Sequence, residues 1–118
     1  MSTSFERLTK QLVAFRDARD WKQFHSLKNL MSSLNIEAAE LQQLAQWDSE
    51  EEAEAKFDSP KEKEKLSDEL ADIFVYILLI CERQGIDLLE ATEAKIKKNE
   101  AKYPIEKSKG NSKKYTEL

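Results

Sequence analysis

The sequence predicts an all-α fold, a four-helix bundle, and three observations carry that prediction. The 118 residues hold only two glycines and two prolines against 36% charged side chains, a composition that suits long helices rather than turn-rich sheets. Apolar residues recur at helical spacing in four separate stretches. No strand-type alternation of useful length interrupts them.

The first helix is expected over about residues 4–17, with Phe5, Leu8, Leu12 and Phe15 on one face. The segment "RDARDWKQFHS" (16–26) breaks that spacing. A second helix follows from about Leu27 to Trp47, striped by Leu27, Leu30, Leu34, Leu41 and Leu44. Residues 48–64 carry eight acids against three lysines and read as a solvated connector with a short exposed helical piece. The third helix has a clear start, because Ser59 caps, Pro60 suits the first position and Glu62 completes a capping box. It runs to about Gln84 and stops at Gly85. Asp87 and Glu90 open a fourth helix that ends near Tyr103–Pro104. From Ile73 to Cys81 the third helix is apolar on every face. Such a helix must be covered all round, so a dimer or a dimer of dimers is expected.

By length the chain is one folded unit, with residues 1–104 expected as a helical catalytic domain and 105–118 as a basic, flexible C-terminal tail. That tail holds four lysines and two acids. The net charge of −4 argues against nucleic acid as a partner, since phosphate neutralisation needs a basic surface. The single cysteine, Cys81, lies in an apolar run; it fits a core position and a reducing, cytoplasmic setting. The start "MSTSFERLTK" has no apolar signal region, and the run "IFVYILLIC" (73–81) is far too short to cross a bilayer, so no membrane is expected.

Function is written in an echo. "LNIEAAEL" (34–41) and "LSDELADI" (66–73) share Leu-x-x-Glu-x-Ala-[Glu/Asp]-[Leu/Ile]. At about 100° per residue, Glu37 lies about 60° and Glu40 about 120° round the helix from Leu34. Glu69 and Asp72 repeat those offsets from Leu66. Both pairs therefore face the rim of the core from the same flank, and antiparallel packing would bring four carboxylates together. Such a group needs protons, basic partners or a metal ion. Neither stripe holds a basic residue beside the acids, which favours the metal. An all-oxygen ligand set suits Mg²⁺, with Mn²⁺ as the second choice. The only histidine, His25, lies in no Glu-x-x-His motif of the di-iron type, and the lack of cysteines and histidines excludes structural zinc. Carboxylate-held Mg²⁺ keeps positions open for substrate phosphates. On the fourth helix Lys95, Asn99 and Lys102 share a face at i, i+4, i+7, with Tyr103 next, and could take phosphates as well. With Gly85 and Gly110 alone there is no glycine-rich phosphate loop.

The Glu-x-x-Glu … Glu-x-x-Asp pattern, here "EAAE" (37–40) and "ELAD" (69–72), resembles the all-α nucleoside triphosphate pyrophosphohydrolases of the MazG-like family. "RDWKQFHSLKNL" (19–30), "ELQQLAQW" (40–47), "KIKKNEAKYP" (95–104) and "KKYTEL" (113–118) are similar to its dCTP pyrophosphatase branch. The resemblance implies a four-helix unit assembled as a homodimer or homotetramer. It implies hydrolysis of a (deoxy)nucleoside triphosphate, dCTP or a related one, to monophosphate and pyrophosphate. Glu37, Glu40, Glu69 and Asp72 would hold Mg²⁺, and Glu37 or Glu40 would activate water. Lys95, Asn99, Lys102 and Tyr103 would bind phosphates and sugar, Trp21, Phe24, His25 and Trp47 would meet the base, and Tyr76 the sugar or metal side. Two alternatives stand beside this: a non-enzymatic helical interaction module, and a relative acting on dUTP or nucleoside diphosphates.

Overall fold

Each of the longer helices begins where a short polar side chain can take up a free backbone N–H. In a computed structural model describing residues 3–118, Thr3 caps α1 (Ser4–Ala18) and closes a capping box with Glu6. Ser26 accepts from the Asn29 N–H and opens α2 (Leu27–Gln43). Ser49 and Glu52 form the box that starts α3 (Glu50–Lys56), the expected helical piece of the acidic connector. Ser59 accepts from the Glu62 N–H at the head of α4 (Pro60–Gln84). Asp87 accepts from the Glu90 N–H and caps α5 (Leu88–Lys102). A 3₁₀ turn, Lys22–Phe24, fills the break between α1 and α2. Among the described residues every regular element is helical.

The expected end of α2 at Trp47 is four residues too late, because the helix stops at Gln43. The reason lies twelve residues away from Leu44. The Lys56 ammonium donates to the Leu44 carbonyl at 2.6 Å and to the Asp48 carboxylate at 2.8 Å. A cation there satisfies a carbonyl at the helix C-terminus and complements the dipole, and it folds the connector back onto the end of α2.

The chain divides into two contact units, one ending at Gln84 and one from Gly85 to Leu118. In the first, α4 packs mainly on α2 and, to a lesser extent, on α1. Leu30 borders the Glu82–Gln84 end of α4 while Glu37 meets Glu69, so α2 and α4 run antiparallel. Phe5 meets Phe74 edge-on at 5.6 Å, and Arg16 pairs with Glu82 at 3.1 Å, so α1 runs in the same direction as α4. The face of α4 towards α1 is apolar and includes Ala71, Phe74, Val75 and Leu78. It lies roughly opposite Glu69 on the helical wheel.

The core holds Leu30, Leu78 and Leu79, together with the buried guanidinium of Arg16. Ile73–Ile77 and Ile80 are only half-buried in the single chain, as is Cys81, whose thiol burial pushes up. Among the described residues no helix is long and apolar enough to cross a membrane.

In the second unit, Gly85 and Gly110 take positive φ at turns. Residues beyond Pro104 form a short helix, α6 (Ile105–Ser108), and a 3₁₀ turn at Tyr115–Glu117. Tyr115 packs edge-on against Tyr103, ring centroids 6.2 Å apart, under the Lys102 ammonium at 4.8 Å.

Leu30, 2% exposed, fills the α2–α4 seam. Leu30→Ala is expected to cost about 3 kcal/mol, read as a lower urea midpoint with unchanged slope.

Candidate metal and nucleotide site

The antiparallel pairing of α2 and α4 brings the two acid motifs together. Ligand oxygens of Glu37, Glu40 and Glu69 all lie within 4.8 Å of one another. Glu37 and Glu69 are half-buried, and Glu40 is exposed at the rim. Asp72, expected as the fourth member, is exposed and stands outside this group. It sits one helical turn past Glu69, where its charge still acts on Glu37.

Basic partners do not resolve this crowding. Among the described residues none of the four acids forms an ion pair. Two buried carboxylate oxygens, Glu37 Oε2 and Glu69 Oε2, have no hydrogen-bond partner at all. Ionised carboxylates only accept hydrogen bonds, so neighbours of the same kind cannot satisfy each other. Something must bring a proton or a cation. The proton alternative is visible in Glu37, whose carboxyl is pushed up from 4.5 to about 7. Burial is the largest cause, followed by the Glu40 carboxyl as hydrogen-bond partner and charge, then Asp72 and Glu69. The metal alternative fits the same atoms. Three oxygen donors within one coordination sphere's reach, two of them orphaned, form a set that could hold a hard divalent cation.

The remaining expected residues fall into separate places. Tyr76 is half-buried on α4, one turn beyond Asp72. Trp21 packs edge-on against Phe15 at 5.7 Å and leaves 43% of its surface exposed. Phe24 and Trp47 are more exposed still, Trp47 at 87%. His25 lies near the Glu82–Gln84 end of α4, about 20 Å along the helix axis from Glu69. Within one chain, His25 is thus not gathered with the acids. Its imidazole is held below the ordinary value by burial and by the Arg16 charge. In the second unit, Lys95 and Lys102 are exposed along α5, Asn99 is half-buried between them, and Tyr103 donates its N–H to the Asn99 carbonyl at 2.8 Å.

Arg16 was not singled out in the sequence. It is 4% exposed and bonds Asp17 at 2.9 Å and Glu82 at 3.1 Å. The available signal was an arginine one turn beyond Leu12, on the flank of an apolar face.

The raised Glu37 carboxyl has a consequence for stability. The metal-free fold binds this proton more tightly than the unfolded chain does, so the contribution is fully present below pH 4.5 and is lost as pH rises through about 7. Thermal midpoints of metal-free protein should fall across that window. Glu37→Gln, which carries no titrating group, should flatten the profile and be the more stable protein on the alkaline side.

Comparison with known proteins places these features in a family. The model of the MazG-like family matches residues 32–118, a span that includes all four acids. dCTP pyrophosphatase 1 of Bos taurus and of Mus musculus are each 36% identical over 115 residues, covering 98% of this chain and 68% of the relative. The crystal structure of a pyrophosphatase from Archaeoglobus fulgidus superposes with a TM-score of 0.82 at 37% identity, covering 88% of this chain and 95% of that one.

Proposed function

The chain belongs to the MazG-like family, and from that premise we propose that it is a Mg²⁺-dependent nucleoside triphosphate pyrophosphohydrolase whose substrate is dCTP or a closely related deoxynucleotide. The single observation that carries the reading is the set of Glu37, Glu40 and Glu69 oxygens gathered without a basic partner. Names of the relatives supply the reaction class, since the matched proteins are dCTP pyrophosphatases and a pyrophosphatase.

In this reading Glu37, Glu40, Glu69 and Asp72 hold Mg²⁺. Bound there, the ion would neutralise negative charge on the triphosphate and would lower the pKa of water at the site. Glu37 or Glu40 orients the attacking water and takes its proton. Water's oxygen bonds to phosphorus, the bond between the α- and β-phosphoryl groups breaks, and the monophosphate and pyrophosphate leave. No side chain need become covalently attached, which fits a half-buried Cys81 whose thiol is pushed up rather than activated. Lys95, Asn99, Lys102 and Tyr103 hold phosphates and sugar, and Tyr76 stands at the sugar or metal side. Trp21, Phe24, His25 and Trp47 meet the base, with residues of a second subunit completing the pocket. The half-buried apolar surface of Ile73–Ile77 and exposed Leu70 on α4 support assembly as a homodimer or homotetramer.

A panel of ribo- and deoxynucleoside triphosphates followed by phosphorus NMR tests the reaction. dCTP should give dCMP and pyrophosphate in equal amounts, and release of inorganic phosphate with dCDP would overturn the cleavage position. Glu37→Gln and Glu69→Gln should each lower kcat by about a hundredfold or more, with circular dichroism unchanged. Full activity in both would remove the acids from the mechanism.

Mg²⁺ should also raise the thermal midpoint of the wild type. At a hundred times its Kd a ligand stabilises the fold by about 2.7 kcal/mol, and Glu37→Gln should lose most of that gain.

A further inference from the structure

At the end of α4 away from the acid cluster, the first unit holds a second polar feature. A cavity of about 310 Å³ opens there, walled by Arg16, Lys22, His25, Glu82, Arg83 and Gln84, with the buried Leu30 side chain completing the lining. Arg16 is fixed in place, its Nε bonded to Asp17 and its Nη1 to Glu82. Those two carboxylates are thereby engaged. Among the described residues neither Lys22 nor Arg83 forms an ion pair or a side-chain hydrogen bond. His25 adds a buried Nδ1 that has no partner. The unsatisfied charge on this wall is positive, in a chain whose net charge is −4.

The geometry points to a binding site for a phosphoryl oxyanion in this cavity, distinct from the acid cluster. The donor set decides the class. Lys22 offers three N–H groups, Arg83 a planar fork of five, and the Gln84 amide two more. A carboxylate has only two oxygens to receive them, whereas a phosphoryl group presents three or four acceptors around one centre and carries the higher charge. The buried Arg16 guanidinium is tied to the half-buried Glu82 carboxylate, and the two free cations, Lys22 and Arg83, line the same cavity. None of the acids proposed to hold Mg²⁺ borders this cavity.

The chain contains a single histidine, so one imidazole Cε1–H resonance reports on the cavity without competing signals. Inorganic phosphate and, separately, pyrophosphate are titrated into the full chain at constant ionic strength with a chelator present, so that neither nucleotide turnover nor Mg²⁺ is involved. The His25 signal should shift saturably, and its titration midpoint should move upward, because a bound anion favours the imidazolium form. Saturation by pyrophosphate at the lower concentration assigns a diphosphate group, and equal affinities assign a single phosphoryl group. Lys22→Ala with Arg83→Ala should weaken binding by about tenfold or more, with circular dichroism unchanged. Lys22→Glu alone, in an exposed turn, should weaken it as well. Absence of a saturable shift with either anion, the same shift from chloride at equal ionic strength, or undiminished affinity in both variants would overturn the site.

Discussion

Like charges pressed together at a helix seam are the constraint on which the rest of this molecule turns. Packing α2 against α4 buries Leu30, and the same contact carries Glu37 and Glu69 to a place where two of their oxygens find no donor. A fold selected only for stability would place a lysine there, as it does at Asp48 and Lys56. The apolar seam is what keeps the acids close, and the strain appears as a carboxyl that holds its proton to about pH 7. Proton and divalent cation are therefore rivals for one set of oxygens. The crowding that raises the Glu37 carboxyl is the same crowding that leaves oxygens open to a cation.

Much of this was legible because local rules and global fold agree. Ser59, Pro60 and Glu62 announce the start of α4 before any packing is known, and Gly85 announces its end. The doubled Leu-x-x-Glu motif fixes the angle of each acid relative to its leucine stripe, and helical geometry alone turns two such stripes into one acidic group. What was not legible depended on partners distant in the chain. Trp47 extends the helical pattern of α2, yet Lys56 draws the chain away at Leu44. Asp72 shares the motif and its charge acts on Glu37, but its exposed carboxylate stands outside the close group of three glutamates. Arg16 carried no mark of its role, because its partner Glu82 lies sixty-six residues later in the chain.

The two contact units divide the work unevenly. The first carries the acids and the shape of the seam, while the second carries the lysine-bearing helix and a C-terminus held by ring contacts among Lys102, Tyr103 and Tyr115. In the second unit, edge-on ring packing and a cation over a ring give order without a buried core of its own.

α4 has two committed faces, acids towards α2 and Ala71, Phe74, Val75 and Leu78 towards α1. Its length is thereby locked in a way its composition is not. Each inserted or deleted residue between Glu69 and Leu78 would rotate everything beyond it by about 100°, swinging the apolar face off α1 while the acids stayed put. A change in the number of residues can be absorbed only in steps close to whole turns, so this segment should be free of gaps wherever the acid motif is kept.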